Sequence, residues 1–230
     1  MDAFSISGVL ARIPLLSGVE GDALYPVSRR ARELNIRRNE QLFAKGEPVE
    51  GFYFLLSGKV KLAFLSSRGN EKIMEIVGPG QSFGESMVLA SREWPFYAQA
   101  IKDSRLLFIE REAFLELVAR QETLKRHLLD RMSRQICDLF SQMEALCLQN
   151  SRERVVGYLL REIEQSRARG RDDRVVELPD TKANTASLLN LTPETFSRII
   201  HTLEREKVIE VSCRSVKIRD LERLQQGCGC

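Results

Sequence analysis

The stretch Thr192-Pro193-Glu194-Thr195-Phe196-Ser197-Arg198-Ile199-Ile200-His201 decides the fold. Thr192 is a residue type that caps helix starts, and Pro193 suits the first helical position, where its missing N–H is no loss. A helix over residues 193–206 divides by face: Phe196, Ile199, Ile200 and Leu203 form an apolar stripe. Glu194, Ser197, Arg198 and His201, at i, i+3, i+4 and i+7, form a polar one. Just upstream, Asp180-Thr181 can cap a helix over 182–189, and Asn190-Leu191 makes a tight turn. Two short helices joined by a tight turn, the second presenting a polar stripe from its amino-terminal end, have the pattern of a helix-turn-helix and its recognition helix. An Arg fork can donate to guanine O6 and N7, and a carboxylate can accept from a cytosine amine. Spacing alone leaves a solvated helix face with nothing bound as an equal alternative.

The residues downstream favour DNA. Val208-Ile209-Glu210-Val211 and Val216-Lys217-Ile218 flank the turn Ser212-Cys213-Arg214-Ser215, a hairpin wing that would set Arg214 at its tip for a phosphate. The candidates for the DNA face are Thr192, Glu194, Thr195, Ser197, Arg198, His201 and Arg214.

Upstream, a domain start is expected near Ser151: residues 154–163 read as a helix, 166–174 are polar, and Val175-Val176-Glu177-Leu178-Pro179 is a short strand with a stop. Residues 111–150 contain no Gly or Pro. Within them Met132, Ile136, Leu139, Met143 and Leu146 follow spacings of four, three, four and three, an a/d seam over two heptads. A narrow seam of this kind suits a helical partner, so a homodimer is expected; packing of a long helix on its own domain is the alternative. Leu124, Leu128 and Leu129 extend the apolar surface.

From Glu33 to Glu110 the period shortens. Phe52-Tyr53-Phe54-Leu55-Leu56, residues 60–65, 72–77 and 105–109 are apolar or alternating runs, with turn signals at Gly46, Gly51, Ser57-Gly58, Arg68-Gly69-Asn70, Gly78-Pro79-Gly80 and Gly84. Strands at this interval read as an all-β roll. Residues 9–32 carry a looser helical pattern. The expected class is α+β: an amino-terminal β-roll over 1–120, a long dimerisation helix over 121–150 and a winged helix-turn-helix over 151–230.

Composition bounds the rest. The chain has 230 residues, 43% hydrophobic and 29% charged, enough apolar content for packed cores and too much for intrinsic disorder. No stretch approaches the roughly 20 apolar residues of a membrane span, and Met1-Asp2-Ala3-Phe4-Ser5 lacks a basic start and apolar run, so a cytoplasmic protein is expected. The net charge is +3 and both halves are near neutral, so DNA contact must rest on local arrangement. The five cysteines, Cys137, Cys147, Cys213, Cys228 and Cys230, all lie in the second half and form no disulfide framework. Cys228 and Cys230 make half a zinc site at best; a thiol switch, a metal donor and an exposed tail are the readings of that pair. A jelly-roll metalloenzyme would need a His and carboxylate cluster, and residues 33–110 hold no His, so no enzyme is expected. A ligand-binding module without DNA function would not need residues 180–219.

With its motifs in this order, the chain resembles the cyclic-AMP receptor/fumarate–nitrate regulator (CRP/FNR) family of bacterial transcription factors. Gly46-Glu47-Pro48, the run from Phe54 through Ser57-Gly58 to Lys61, Phe83-Gly84-Glu85 and the helix from Pro193 to His201 carry the likeness. The Gly46 segment and recognition helix are most similar to the dissimilatory nitrate respiration regulator group, thought to sense nitric oxide through haem and to activate denitrification promoters. The resemblance implies that Glu194, Ser197 and Arg198 read a TTGAT-type half-site in a palindrome, with RNA polymerase as a further partner. It also implies an effector pocket at Phe83, Gly84, Glu85, Ser86, Pro95, Phe96 and Tyr97, with His127 and Arg131 from the long helix.

Two departures matter. Cyclic-nucleotide binders of the family carry Arg-Ser about ten residues after Gly-Glu, where this chain has Pro95-Phe96. A buried phosphate would lack its charge partner, which argues against cyclic AMP. No cysteine precedes Cys137, which closes the amino-terminal iron–sulfur route. Haem stays open, with His127 as a candidate ligand and Met, Cys, Tyr or a terminal amine as others. The aromatics around Trp94 suit a haem or another hydrophobic effector, or they fill the roll's core. Asn184 and Thr185 stand where the family pattern leads one to expect apolar residues.

Overall fold

The computed structural model describes residues 3–67, 69, 71–90, 93–168, 174–178, 181–212 and 215–226. Arg214, Cys213, Asp180 and the Cys228/Cys230 pair lie outside them. The chain divides into two compact units, 1–138 and 139–230.

The first unit opens with α1 (Ala3–Leu10), a 3-10 turn at Pro14–Leu16 and α2 (Gly21–Arg29). The roll follows as β1 (Ala31–Ile36), β2 (Gln41–Phe43), β3 (Gly51–Leu65), β4 (Glu71–Val77), β5 (Ser82–Phe83), α3 (Glu85–Ala90) and β6 (Tyr97–Glu110). Its sheet runs β1-β6-β3-β4, with β2 paired to β6 and β5 to β3, and every pairing is antiparallel. Helix α4 (Arg111–Arg120) and α5 (Glu122–Leu148) continue the chain, and α5 runs through the division between the units.

One expectation is corrected here. Ser57-Gly58 is not a turn between two strands: β3 runs unbroken through it, and the register against β6 shifts there. Gly58 has φ +93°, and a Cβ on it would stand 2.2 Å from Ser104 Oγ and 2.4 Å from the Asp103 carbonyl oxygen. The glycine therefore permits a bulge with close backbone approach, which a turn signal in sequence does not distinguish. Residues 111–148 form two helices, parted at Gln121, whose backbone is extended at φ −113°, ψ 103°. No Gly or Pro marks that break. It comes where α4 buries Ala113, Phe114 and Leu117, and α5 buries Leu124 and Leu128.

The second unit holds the rest of α5, then α6 (Ser151–Ala168), β7 (Val175–Glu177), α7 (Lys182–Leu188), α8 (Pro193–Arg205), β8 (Ile209–Ser212), β9 (Ser215–Ile218) and α9 (Leu221–Gln226). The strands form an antiparallel sheet in the order β7-β9-β8. Its core gathers Val155, Leu159, Val176, Ala186, Phe196, Ile200, Leu203, Val208 and Val216. The break before α6 is a capping box. Asn150 Oδ1 accepts from the Arg152 and Glu153 N–H groups at 2.9 and 3.1 Å, while Glu153 Oε2 accepts from the Asn150 N–H at 2.8 Å. No helix among the described residues is long and apolar enough to cross a membrane.

Candidate functional site

Helices α7 and α8 are held as a pair by local chemistry. Thr181 Oγ1 accepts from the Asn184 N–H at 3.1 Å and caps α7. The unexpected Thr185 is fully buried, and its hydroxyl donates to the Thr181 carbonyl at 3.2 Å, so the polar group that seemed out of place is satisfied. Asn184 is half-buried at the edge of the same helix. The turn is a Schellman motif: the Leu191 N–H reaches the Ala186 carbonyl at 2.9 Å and the Asn190 N–H the Ser187 carbonyl at 3.0 Å. Asn190 adopts φ 55°, a left-handed conformation that asparagine tolerates better than most residues.

Thr192 caps α8 as expected, its Oγ1 accepting from the Thr195 N–H at 3.2 Å and lying 3.1 Å from the Thr195 hydroxyl. The helix buries Phe196, Ile200 and Leu203. Glu194, Arg198 and His201 are exposed, with Ser197 and Thr195 half-buried beside them, so the structure brings the six expected residues of α8 and its cap onto one end and face. The Glu194 backbone N–H and the Thr192 side chain hydrogen-bond the Glu194 carboxylate and hold it below the usual carboxylate range, so it stays an acceptor at neutral pH. His201 Nδ1 stands 3.6 Å from Glu204 Oε2.

The far end of α8 carries contacts that sequence reasoning missed. Arg152, in the first turn of α6, donates to both Glu206 carboxylate oxygens at 3.0 and 2.6 Å. The Arg223 guanidinium donates to the Glu206 carbonyl at 3.3 Å. A second Schellman motif closes the helix, with Val208 N–H to Leu203 O at 3.1 Å and Lys207 N–H to Glu204 O at 2.9 Å. Here the left-handed position, φ 60°, is taken by Lys207. The Asn150/Glu153 capping signal is visible in sequence; a pair separated by 54 residues is not.

On α5, Ile136, Leu139, Met143 and Leu146 are 53%, 62%, 60% and 47% exposed, with Phe140 and Leu129 beside them and Met132 half-buried. Leu124 and Leu128, one turn and more upstream, are buried.

In the roll, the residues expected around an effector divide. Phe83 and Phe96 are buried with Trp94 in an aromatic core: Trp94 stacks on Phe43 with centroids 3.9 Å apart, Tyr53 on Phe83 at 5.3 Å, and Phe96 lies 5.8 Å from Trp94. Gly84, at φ +97°, lets the Trp94 ring approach, since a Cβ there would stand 2.5 Å from it. Pro95 is exposed and Ser86 half-buried. The Tyr97 hydroxyl donates to the Glu71 carboxylate, and burial together with that bond pushes the phenol's pKa up. Arg131 from α5 donates to the Ser82 carbonyl at 2.8 Å and its hydroxyl at 3.2 Å, and pairs with buried Glu85 at 3.5 Å. Glu85 Oε1 is buried without a hydrogen bond. His127 is half-buried with Nδ1 3.3 Å from the Leu15 carbonyl oxygen; the tautomer that donates there leaves Nε2 as the lone-pair nitrogen. Among the described residues no group of three or more His, Cys, Asp or Glu is gathered for a metal ion.

Residues 33–121 match the cyclic nucleotide-binding domain family and residues 153–226 the Crp-like helix-turn-helix domain family. The cyclic AMP receptor protein of Thermus thermophilus is 28% identical over 189 residues, 82% of this chain and 84% of that one. The transcriptional activator protein Anr of Pseudomonas protegens is 29% identical over 209 residues, 90% of this chain and 84% of its own. The crystal structure of DNR from Pseudomonas aeruginosa is 31% identical, with 95% of this chain and 96% of that chain covered and a TM-score of 0.51. With both domain families present in order and a capped, exposed recognition helix in the second, the chain belongs to the CRP/FNR family of DNA-binding transcription regulators and is not an enzyme.

Proposed function

We propose that the protein is a homodimeric, effector-gated regulator in the cytoplasm that reads inverted TTGAT-type half-sites about one helical turn apart and controls anaerobic or denitrification genes. The observation that carries this reading is the exposed stripe of α8, where Arg198 and Glu194 stand ready for a guanine and a cytosine amine while the opposite stripe is buried. The likeness to Anr and DNR supports the gene class. The exposed α5 stripe supports the dimer: Ile136, Leu139, Phe140, Met143 and Leu146 are about half exposed, so covering each is worth about half of the roughly 1.5–3 kcal/mol of a full burial. In functional terms 1–120 senses, 121–150 dimerises and 151–230 binds DNA, with RNA polymerase as the partner of the bound dimer.

The effector is a small molecule other than a cyclic nucleotide. Pro95 and Phe96 offer no cation to a phosphate, and Phe96 packs into the aromatic core. Haem, the group through which nitric oxide would be sensed, fits His127 in one respect. An imidazole whose Nδ1–H is held by a backbone carbonyl presents Nε2 as a donor, the usual arrangement of a ligating histidine. When bound, haem would supply the iron that takes up nitric oxide. The protein's part would be to offer the His127 imidazole nitrogen to the iron, while Arg131, which grips the Ser82 backbone and Glu85, would couple the roll to α5. An effector that favours one arrangement of α5 would shift the dimer toward the DNA-competent geometry.

Gel-shift titration tests the reading. Salt-dependent binding to a duplex with inverted TTGAT half-sites, strengthened by haem reconstitution and changed by nitric oxide, is expected. The absence of palindrome-specific binding by the dimer under every effector condition would overturn it. Loss of the Soret shift with nitric oxide in His127→Ala would support His127 as a residue that holds the haem, and an unchanged spectrum would remove His127 from that role.

A further inference from the structure

Two charges in the DNA-binding unit stand at the wrong ends of their helices. Arg152 lies in the first turn of α6, where unpaired N–H groups make a partial positive charge, and Glu206 is the C-cap of α8, where carbonyls make a partial negative one. Each helix taken alone would prefer the opposite charge. They nevertheless meet in a bidentate bond, both guanidinium nitrogens on both carboxylate oxygens at 3.0 and 2.6 Å, a fork-on-fork geometry that fixes orientation as well as distance. Arg223 donates to the carbonyl of the same Glu206, and Glu204 Oε1 accepts from the Val211 N–H at 3.1 Å. The last turn of α8 is thus tied to α6, α9 and β8, whereas Glu194 and Arg198 in its first two turns are exposed.

We propose that Arg152 and Glu206 are positioning residues for DNA recognition: their pair anchors the carboxy-terminal end of the recognition helix to the first turn of α6 and so sets the angle at which Glu194, Ser197 and Arg198 meet the bases. The lever arm shows why an angle matters. Glu194 lies 12 positions before the anchored Glu206, roughly 18 Å of helix at 1.5 Å per residue. A tilt of about 10° at the anchor moves the reading end by roughly 3 Å, beyond the tolerance of a hydrogen bond. The anchor point is also the place where α5 hands over to α6: the Asn150 and Glu153 capping box sets the start of α6 and Arg152 lies inside it. Whatever turns the start of α6 therefore turns the recognition helix with it. The Arg152 hydrogen bonds hold the Glu206 carboxyl below the usual carboxylate range, which keeps the pair charged across neutral pH.

The proposal rests on α8 being the base-reading helix, and its test has one arm that does not. In gel shifts with the full-length protein on the inverted TTGAT duplex, Arg152→Ala and Glu206→Ala should each lower affinity about tenfold, with the double variant no weaker than either single one. Thermal stability should change little, because both side chains are more than a third exposed and water screens the pair; a loss of binding that tracks a large loss of stability would mark the pair as merely structural and overturn the proposal. The exchanged pair, Arg152→Glu with Glu206→Arg, suits both dipoles and should recover most of the binding. If Arg152 instead touches a phosphate, Glu206→Ala will tighten binding and Arg152→Ala will lower the salt slope by about one, which overturns the proposal. In the second arm, amide exchange at Lys207 and Val208 without DNA should quicken in both single variants. If the wild type ignores the TTGAT duplex, the half-site reading fails while exchange still decides the anchor; unchanged exchange refutes the anchor whatever the duplex does.

Discussion

Helices α5 and α8 carry apolar stripes of the same kind and meet opposite fates. Along α8, Phe196, Ile200 and Leu203 are buried against β8, β9, α6 and α7 of their own unit. Along α5, Ile136, Leu139, Met143 and Leu146 repeat every three or four residues just as regularly and stay in water. The difference teaches that periodicity announces a face in need of cover but not what covers it. For α8 the cover is the chain itself, so its opposite, polar face is left exposed, where the proposed reading places DNA. For α5 the narrow seam asks for another helix.

The sharpest way to break this comparison is Ile136→Asp. A charge at the centre of the α5 seam should turn the dimer into monomers in sedimentation while leaving the melting of the second unit's core unchanged; a retained dimer would show that the seam is not the interface. Phe196→Ala should do the reverse. Removing a fully buried aromatic is expected to destabilise the DNA-binding unit by about 3–5 kcal/mol in denaturant titration, with association by α5 preserved. On the exposed face of α8, Arg198→Ala should cost about 1–3 kcal/mol of DNA binding and relax preference at one base pair, leaving stability within experimental error. Arg214→Ala, by contrast, should weaken all sequences alike in the same assay, as loss of a phosphate contact does. The smallest effect is expected where α8 ends. Lys207 sits at φ 60° in a position that favours glycine, so Lys207→Gly should raise stability by about 0.5–1 kcal/mol in the same titration.

Much of the DNA-facing site was legible because its chemistry is local. A cap at Thr192, a proline at the next position, and side chains three and four residues apart are set by 3.6-residue geometry, and the structure places all of them as that geometry requires. The same holds for the Asn190 turn and the short strands of the wing. Misreadings arose where a local signal has two tertiary meanings. Gly58 carries a turn signal, but the long β6 partner carries β3 through it as a bulge. The break at Gln121 has no Gly or Pro to announce it; it falls between the buried Phe114 and Leu117 of α4 and the buried Leu124 and Leu128 of α5. Thr185 departs from the apolar pattern yet is buried without penalty, since a carbonyl four residues back accepts its hydroxyl.

The sequence alone determined the bounds of α8, which of its faces is polar and which packs, and that α5 bears an apolar stripe, because helix periodicity and capping act within a turn or two of the chain. Only the tertiary structure decided that Trp94, Phe83 and Phe96 fill the roll, that Arg131 grips the Ser82 and Glu85 corner, and that Arg152 reaches Glu206 across 54 residues. These are contacts between segments distant in the chain, and no spacing rule relates them. Their partners are chosen by how the strands and helices close over a shared core.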